Sequence, residues 1–598
     1  MLVVCYEGGD RSAVRFDRAR LGCAMVSEEL DNKGGTRMSK AKGNASRVLQ
    51  TKILKESEMT EEKEAPKKVS RREFVKGAAV GGAGVAAAGV LASCAPAAPT
   101  TGPEAAPTCP PAGECAPCPV PGVPETWDEE ADVVVIGTGC AGMAASIEAV
   151  DNGAKVITLE KMSVTGGTTA MAGGSSAIPV KGKESDAIEY YMACGDGKVS
   201  REMVEAFVEE TATLGDWFQS VGGFVLGDPR AGYHLMFPGA DGSLQSWGAP
   251  PEGNGGEWVM ETEVNAALAR GVNIMMETTA VELIATPEKE VLGVKAESNG
   301  TVINIKAGKG VVLACGGIGF NEELKLQWGR SWPKYHTGSP GNTGDGILMG
   351  MKLGAAVWKT PEGIGRPCIK IPEYQIAYGF GYTNQPCVIV NRYGKRFVAE
   401  NISYDSFHMA CDSYDATKRE FTNIPWYAIF DEEVRLIARV GSPPRVLHDL
   451  PDWSADNSDE ITKGWIIKAD TIEELAGKIG IDPVALGEAV DTYNTNAEVG
   501  VDPEFGRTGA GLAPVRTPPF YAVEGYAGYY GTFGSLQINT KAQVIDVSGA
   551  VIPRLYAAGE NAIGHLGYHY PSGGNGIADG HAFGRIAGRL AAASTPWA

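Results

Sequence analysis

The sequence predicts an α/β protein in which a Rossmann-like nucleotide-binding domain is interrupted by an inserted α+β domain. A β-branched strand, a glycine-rich turn and a small-residue helix follow one another over 132–151, the order that a dinucleotide-binding motif requires. Further glycine-rich segments occur before about Gly363 and after about Pro518, whereas helix signals dominate between them. The chain has 598 residues, which is enough for both domains.

The charge and cysteine content exclude several classes of function. The chain holds 53 Lys and Arg against 73 Asp and Glu, a net charge of −20. This argues against nucleic acid as a partner, because phosphates are bound by basic surfaces. Of the 12 cysteines, Cys109, Cys115 and Cys118 come closest to a metal motif, but they lie in a Pro/Ala-rich stretch without a histidine. We therefore expect no metal site and no c-type haem.

An export signal precedes the folded part. Residues 70–76, SRREFVK, match the twin-arginine pattern, and a weakly apolar run, too short for a good membrane span, follows over 77–93. Residues 91–94, LASC, resemble a lipobox in which Cys94 is lipidated. We expect an extracytoplasmic lipoprotein that meets the membrane only through this anchor. There are two alternatives. The chain could be cleaved after Ala97, which would release a soluble protein, or the Arg pair could occur by chance in an N-terminal helix.

Composition divides the chain into six segments. Residues 1–58 are polar and aperiodic, so we interpret them as a non-native or disordered extension before a start at Met59. The signal and lipobox occupy 59–94, and a semi-rigid linker rich in Pro and Ala occupies 95–127. The nucleotide-binding domain then consists of 128–362 and 519–598, on either side of a cap and substrate domain at 363–518.

Three glycines follow the first strand of the folded part in the GxGxxG spacing. Gly137 allows the tight turn, Gly139 lets the backbone approach a pyrophosphate, and Gly142 permits close helix–strand packing. The second strand ends at Glu160, where a carboxylate would meet a ribose hydroxyl. A chance glycine-rich turn is the alternative, and the spacing alone leaves both FAD and NAD open.

Further glycine-rich segments place this motif in a known family. They are GGTT at 166–169, GGSS at 173–176, CGGIG at 315–319, LYAAGE at 555–560 and GGNGIADG at 573–580. With them, the sequence from about Asp132 to Leu590 resembles the flavoprotein family of fumarate reductases, succinate dehydrogenase flavoprotein subunits and 3-ketosteroid dehydrogenases. The resemblance implies FAD, bound by a Rossmann-like domain of the glutathione-reductase type with an inserted α+β cap that closes over the flavin.

The resemblance also assigns residues to the cofactor. LYAAGE would hold the ribityl chain, and the last glycines would lie under the isoalloxazine ring. The residues expected at FAD are Gly137, Gly139, Cys140, Ala141, Gly142, Glu160, Lys161, Gly166, Gly167, Thr168, Thr169, Gly173, Gly174, Ala314, Gly316, Gly317, Asp345, Gly559, Glu560, Gly573, Asn575, Gly576 and Ile577.

Local signals predict two helices in the cap. Thr471 to Glu474 form a capping box that opens an amphipathic helix through Ile479. Asp482, followed by a proline, starts another helix that reaches about Tyr493.

The last helix carries a stripe of glycines. Gly576, Gly580, Gly584 and Gly588 recur at every fourth residue, so they share one face of the helix. Such a stripe costs helix propensity, which close packing would offset. For the later glycines, packing on a sheet and contact with the flavin are both open.

The positions that carry chemistry in this family separate its branches. Residues 391–400, NRYGKRFVAE, look like the family motif NxxGxRFxxE. In fumarate reductases an arginine that donates a proton follows this motif, but Tyr404 occupies its place here. Gly531 stands where these enzymes have a site histidine, and Pro571 stands where they have a substrate-clamping arginine. Since a dicarboxylate needs such cations, the sequence argues against fumarate and succinate as substrates.

The residues found instead resemble the 3-ketosteroid dehydrogenases. Tyr404 and Tyr570 match two site tyrosines, Ser572 matches a serine of the 4-ene-forming enzymes, and Tyr233 aligns more weakly with a third tyrosine. The Tyr570 hydroxyl and the Gly574 N–H would donate to a ketone oxygen. Tyr404 would take the α-proton, which requires a neighbouring donor or positive field because its reference pKa is about 10. The alternative is that these are ordinary buried tyrosines.

Three functions follow from these patterns. The first is an exported FAD-dependent oxidoreductase of CH–CH bonds next to a carbonyl, with a small, apolar, steroid-like substrate. The second is a flavin reductase of another enoate or enone that uses Arg392 or Arg366 as its acid, which a structure without a cation above the flavin would exclude. The third is a surface-anchored electron carrier. We expect an external carrier such as a quinone or cytochrome, because the sequence shows no haem or covalent FMN domain.

Overall fold

The computed structural model of the chain describes residues 122–597, with gaps at 359–362, 383, 445, 447–449, 510 and 533. The extension 1–58, the export signal, Cys94 and most of the linker lie outside the described residues. Across the described ranges, no helix is both long and apolar enough to cross a bilayer. No group of three His, Cys, Asp or Glu side chains within them could hold a metal ion.

Helices occur in both parts of the chain. The α-helices are α1 (Cys140–Asp151), α2 (Gly167–Met171), α3 (Glu184–Cys194), α4 (Arg201–Ala212), α5 (Leu214–Val221), α6 (Gly256–Ala269), α7 (Glu322–Trp328), α8 (Asp345–Lys352), α9 (Tyr404–Cys411), α10 (Glu432–Ile437), α11 (Ser458–Thr462), α12 (Ile472–Ile479), α13 (Pro483–Val499) and α14 (Asn575–Ala593). Two short 3-10 helices are Gly559–Asn561 and Ile563–Leu566.

Most strands belong to two large sheets. The strands are β1 (Glu129–Ile136), β2 (Val156–Leu159), β3 (Ser175–Pro179), β4 (Val225–Leu226), β5 (Leu244–Gly248), β6 (Asn273–Met275), β7 (Thr278–Ala285), β8 (Val291–Ser298), β9 (Thr301–Leu313), β10 (Tyr335–His336), β11 (Val357–Trp358), β12 (Gly363–Ile369), β13 (Tyr378–Phe380), β14 (Val388–Asn391), β15 (Tyr414–Asp415), β16 (Glu420–Phe421), β17 (Trp426–Phe430), β18 (Gly441–Ser442), β19 (Ile466–Ala469), β20 (Val501–Asp502), β21 (Arg507–Thr508), β22 (Phe520–Thr532), β23 (Ser535–Leu536), β24 (Gln543–Ile545) and β25 (Val551–Ala557).

The first sheet is the predicted Rossmann-like sheet. Its order is β24-β25-β9-β1-β2-β6, with β7 and β8 as an antiparallel extension along β9. The strands from β25 to β6 are parallel, and the β-branched side chains of β1 are buried, as in a parallel sheet covered on both faces. Since parallel strands end at one edge, Gly137 after β1, Ala314 after β9 and Gly559 after β25 meet there despite their separation in sequence.

The second sheet forms the inserted domain. Its order is β14-β17-β22-β12-β13-β18, and β10 and β19 also pair with β22. The sheet therefore reaches from Tyr335 to Thr532, beyond both ends of the predicted segment 363–518. Helices α12 and α13 pack on it through buried side chains such as Leu475 and Leu486, which share a core with Val388 of β14.

The two helices predicted in the cap are present. The Thr471 hydroxyl accepts a hydrogen bond from the Glu474 N–H (3.1 Å), and α12 ends at the predicted residue. Asp482 caps α13 by accepting from two backbone N–H groups. This helix continues past the predicted end near Tyr493 to Val499, because the residue that terminates it is a glycine in the left-handed conformation.

The glycine stripe of α14 packs against α1. A Cβ atom on Gly584 would lie 2.4 Å from the carbonyl oxygen of Ala141, and one on Gly588 would lie 2.1 Å from that of Ala145. The close packing expected for this stripe is therefore present, but the backbone that approaches Gly584 and Gly588 belongs to a helix rather than to a sheet, and neither contacts the cavity. Gly576, at the start of the stripe, lines the cavity described next.

Candidate active site

A cavity opens at the edge of the first sheet where β1, β9 and β25 end, and it extends to β12, β22 and α9 of the inserted domain. Most of the residues expected at the cofactor or substrate line it. They are Gly137, Gly139, Cys140, Ala141, Glu160, Lys161, Gly167, Thr168, Thr169, Gly173, Gly174, Ala314, Gly316, Asp345, Gly559, Glu560, Gly573, Gly576, Ile577, Tyr233, Tyr404, Tyr570 and Gly574.

Five expected residues do not line the cavity: Gly142, Gly166, Gly317, Ser572 and Asn575. Gly142, Gly166 and Gly317 are close-packing positions, because a Cβ on each would lie closer than 3.0 Å to a neighbouring atom. Ser572 is 1% exposed, and its hydroxyl donates to the side-chain oxygen of Asn575 (2.9 Å). This bond turns Ser572 into the protein, so the substrate contact expected for it is absent here.

Two glycines of the GxGxxG turn have different neighbours. Gly137 has φ +107°, and a Cβ there would lie 2.4 Å from the carbonyl oxygen of Ala314, so the turn itself requires glycine. At Gly139 the nearest atom, the hydroxyl oxygen of Thr169, is 3.8 Å away. Protein packing therefore does not explain Gly139, whereas a pyrophosphate against the cavity wall does.

The start of α1 fits an anion in the same place. Gly139 is its N-cap and provides no side-chain cap, and the first turn holds no acidic residue. The Cys140 N–H donates only a long bond to the Thr169 hydroxyl (3.3 Å). The positive end of the helix thus lies at the cavity wall, as phosphate binding requires.

The far end of the cavity carries paired charges. The Glu160 carboxylate accepts from the N–H groups of Thr138 (3.2 Å) and Met162 (2.9 Å) at the end of β2. Lys161 forms an ion pair with Asp345 (2.7 Å). Glu160 therefore lies where the sequence places the ribose, and its carboxylate is already oriented by backbone donors.

Glu560 brings a carboxyl group to the middle of the cavity. The Thr532 N–H donates to it (3.1 Å), and a Cβ on Gly531 would lie 2.9 Å from its Oε1 atom. Burial raises the pKa of Glu560 to about 7, and the hydrogen bonds from Thr532 oppose this effect only in part. Near neutral pH this carboxyl group therefore exchanges between its neutral and charged forms.

We expect the Glu560→Gln variant to remove a pH-dependent part of the stability. The folded-state pKa is raised, so the contribution is complete below the unfolded pKa near 4.5 and is lost as the pH rises through about 7. The free-energy difference between wild type and variant should change by at most about 3.5 kcal/mol, at about 1.4 kcal/mol per pKa unit. Urea unfolding of both apoproteins across this pH range measures it, and a pH-independent difference would contradict the assignment.

Four tyrosines, which we call the tyrosine cluster, form one corner of the cavity: Tyr233, Tyr404, Tyr530 and Tyr570. The ring centroid of Tyr404 lies 5.3 Å from that of Tyr233, 6.0 Å from Tyr530 and 6.2 Å from Tyr570. Sequence reasoning missed Tyr530. The sequence feature that could have indicated Tyr530 is its position directly before Gly531, which aligns with a site histidine of fumarate reductases.

Two members of the tyrosine cluster, Tyr404 and Tyr570, hold their protons. Burial, followed by the neighbouring Tyr570, raises the pKa of Tyr404 well above its ordinary value. Burial also raises the pKa of Tyr570, although the Gly576 N–H donates to its hydroxyl oxygen (2.9 Å). The lowered pKa that the predicted base role required is therefore not found, because burial dominates. At rest Tyr404 therefore carries its proton.

The backbone beside Tyr570 is tightly fixed. Gly574 has φ +92°, and a Cβ there would lie 2.6 Å from the carbonyl oxygen of Ser175. Its own carbonyl accepts from the Ala177 N–H (3.1 Å), which joins β3 to the start of α14. Only glycine fits this position, and its N–H belongs to a rigid part of the cavity wall.

Among the described residues, no arginine lines this corner of the cavity. Lys161 is the only cation among the described residues that line the cavity, and it lies at the opposite end. Arg392 pairs with Glu420 (3.0 Å). The Arg366 guanidinium lies 4.3 Å from the ring centroid of Tyr530 but does not line the cavity. Neither arginine is placed as the acid of an enoate reductase.

We expect the Gly139→Val variant to fold but to bind FAD at least tenfold more weakly. Gly139 has φ −68°, which valine adopts, and the space beside it is open. The matched control is Gly137→Val, which should fail to fold because its Cβ would meet the Ala314 carbonyl. FAD titration and thermal unfolding of the apoproteins measure both effects, and wild-type FAD affinity in Gly139→Val would contradict the pyrophosphate position.

Comparisons with known proteins agree with this geometry. The FAD binding domain family matches residues 132–577. Urocanate reductase of Eggerthella lenta is 30% identical over 493 residues, covering 79% of this chain and 76% of that protein. Fumarate reductase (cytochrome) of Shewanella frigidimarina is 29% identical over 472 residues, covering 77% of each. The structure of 3-ketosteroid Δ1-dehydrogenase from Sterolibacterium denitrificans has a TM-score of 0.69 at 25% identity, covering 78% of this chain and all of that one.

The residues that match the family include those that line the cavity. The matched range contains the GxGxxG turn, Glu560 and the tyrosine cluster. The relatives include both reductases and a ketosteroid dehydrogenase. The expected cofactor is confirmed by this family and by the fit at Gly139. The chain therefore belongs to the FAD binding domain family of flavin-dependent oxidoreductases, and its cofactor is FAD.

Proposed function

We propose that the protein exchanges two hydrogens between FAD and the carbon–carbon bond next to a ketone in a neutral, steroid-like substrate. The tyrosine cluster carries this proposal. A dicarboxylate would need cations, but the described residues supply four phenol groups at this corner, and Lys161, the one lining cation among them, is paired with Asp345. Phenols donate hydrogen bonds to a carbonyl and pack against apolar rings, so they suit a neutral ketone.

Each side chain of this corner has a role in the proposal. The Tyr570 hydroxyl, held by the Gly576 N–H, would donate to the ketone oxygen together with the Gly574 N–H. Tyr404 would exchange a proton with the carbon next to the carbonyl. Tyr233, whose hydroxyl hydrogen-bonds to that of Tyr404, would orient it. When bound, FAD supplies the two-electron exchange with the substrate.

We infer that the resting protein is poised for reduction of the double bond. The raised pKa of Tyr404 keeps the resting phenol protonated, which is the form from which reduction starts. Dehydrogenation would pass through the same groups in reverse, with Tyr404 accepting the proton. The two relatives with reductase names support the reductive direction.

The source of electrons and the location of the protein are further proposals. We propose a separate carrier such as a quinone or a cytochrome, which the cytochrome in the name of one relative supports. We also propose export by the twin-arginine route and anchoring at Cys94, for which the sequence over 70–94 is the support.

Turnover with a panel of acceptors tests the proposed function. The holoenzyme is incubated anaerobically with a reduced viologen and with a 3-ketosteroid enone, an unsaturated monocarboxylate or fumarate. A steroid product two mass units heavier supports the proposal, whereas turnover of the carboxylates alone would contradict it. If no organic acceptor is reduced but a quinone reoxidises the protein, the electron-carrier function is supported instead.

A further inference from the structure

The residues that directly follow two site tyrosines both bind the main chain of the third. Asp405, next to Tyr404, accepts a hydrogen bond from the Tyr570 N–H (3.2 Å). His234, next to Tyr233, places its Nε2 atom 3.2 Å from the Tyr570 carbonyl oxygen. Both side chains are buried, and neither lines the cavity. They form a layer directly behind the tyrosine cluster.

The contact continues along the chain after Tyr570. The Tyr233 N–H donates to the carbonyl oxygen of Pro571 (2.9 Å), and the Arg230 guanidinium donates to that of Gly573. Segment 230–234 therefore runs beside segment 570–573 and holds it at several carbonyl groups. His234 is the member of this set that reaches the tyrosine itself.

The two main-chain groups of Tyr570 require a hydrogen-bond donor from His234 and an acceptor from Asp405. A carbonyl oxygen only accepts, so the Nε2 atom of His234 must carry hydrogen. Burial and the nearby His569 lower the pKa of His234, which favours the neutral ring with its proton on Nε2. Asp405 supplies the acceptor, and its Oδ2 atom lies 3.9 Å from Nε2. One donor and one acceptor thus hold both polar groups of a single residue.

We propose that Asp405 and His234 are positioning residues that fix Tyr570 for its contact with the substrate carbonyl. Holding the N–H and the carbonyl of Tyr570 sets its backbone, and the Gly576 N–H then sets its hydroxyl. The phenol needs little reorganisation when the substrate enters, which is how preorganised donors act in catalysis. The kinetic part of this inference rests on the proposed function.

Paired variants at His234 separate positioning from general packing. The side-chain amide of Gln places nitrogen near the position of Nε2, whereas that of Asn reaches only the position of Nδ1. We expect His234→Asn to lower kcat at least tenfold with KM changed less than threefold. His234→Gln should restore kcat to within threefold of wild type. Equal kcat values for the two variants and the wild type would overturn the proposal.

A spectroscopic readout keeps the test independent of turnover. The holoenzyme is labelled with 3-fluorotyrosine for fluorine NMR, and the Tyr570 signal is assigned by its loss in Tyr570→Phe. We expect this signal to be shifted or broadened in His234→Asn and in Asp405→Leu. It should return to its wild-type position in His234→Gln and in Asp405→Asn, which keeps an acceptor oxygen. An unchanged Tyr570 signal in all four variants would overturn the proposal that Asp405 and His234 position Tyr570. If the wild type reduces no ketone at all, the proposed function fails and the NMR result alone decides the positioning role.

Discussion

The Tyr404→Phe variant is expected to turn over at least a hundredfold more slowly than the wild type while keeping its FAD. The substitution removes one hydroxyl group from a half-buried ring and leaves the contacts of that ring with Tyr233, Tyr530 and Tyr570 in place. Proton transfer by a positioned side chain contributes about a hundredfold to ten-thousandfold to a rate. The loss should therefore appear in kcat rather than in flavin content or in thermal stability.

Tyr378, a buried tyrosine outside the cavity, provides the matched control for Tyr404→Phe. Tyr378 lies in the inserted domain, where its hydroxyl donates to the Pro451 carbonyl (2.8 Å) away from the cavity. Tyr378→Phe removes the same group and should leave turnover within about twofold of wild type, because such a neutral hydrogen bond contributes only about 1 kcal/mol to stability. Equal rates in Tyr404→Phe and wild type would remove Tyr404 from the proton transfer.

The second large effect is expected at the contact between α1 and α14. Gly584→Val places a branched side chain where a Cβ alone would lie 2.4 Å from the Ala141 carbonyl. The two helices must separate, which should destabilise the protein by about 3 kcal/mol or more. Since the start of α1 also forms the pyrophosphate site, FAD binding should weaken together with stability.

Gly487 in α13 is the control for this substitution. A Cβ there would have no atom within 4 Å, so Gly487→Val should change stability by no more than about 0.5 kcal/mol. Urea unfolding of the holoenzymes gives both values. Similar stabilities of the two variants would show that the glycine stripe is not a close helix contact.

The fold was largely predictable because its signals are local. The GxGxxG turn, its flanking strands and the capping residues Thr471 and Asp482 each act within a few residues, so the sequence alone gives their structure. The partner of the α14 stripe was not predictable. Four regularly spaced glycines require a close neighbour, but they do not determine whether that neighbour is a helix, a sheet or a ligand.

The candidate site shows the same division. Tyr233, Tyr404 and Tyr570 were assigned through motifs, and all three line one cavity. Tyr530 was missed because it is the extra residue of a β-bulge where β22 pairs with β12, which the sequence does not show. The pKa of Tyr404 was also out of reach of the sequence, since it depends on burial by segments distant along the chain. Ser572 illustrates the limit of a motif, because a hydrogen bond three residues away turns it out of the cavity.

The most direct test of the account compares a neutral enone with a dicarboxylate as oxidant of the reduced flavin. The holoenzyme is reduced anaerobically and mixed in a stopped-flow instrument with 1,4-androstadiene-3,17-dione or with fumarate, while the flavin absorbance is followed. The corner that the described residues line with phenols and no cation predicts rapid reoxidation by the steroid and none by fumarate above the buffer control. Reoxidation by fumarate at an equal or higher rate, with the steroid inactive, would contradict the central claim.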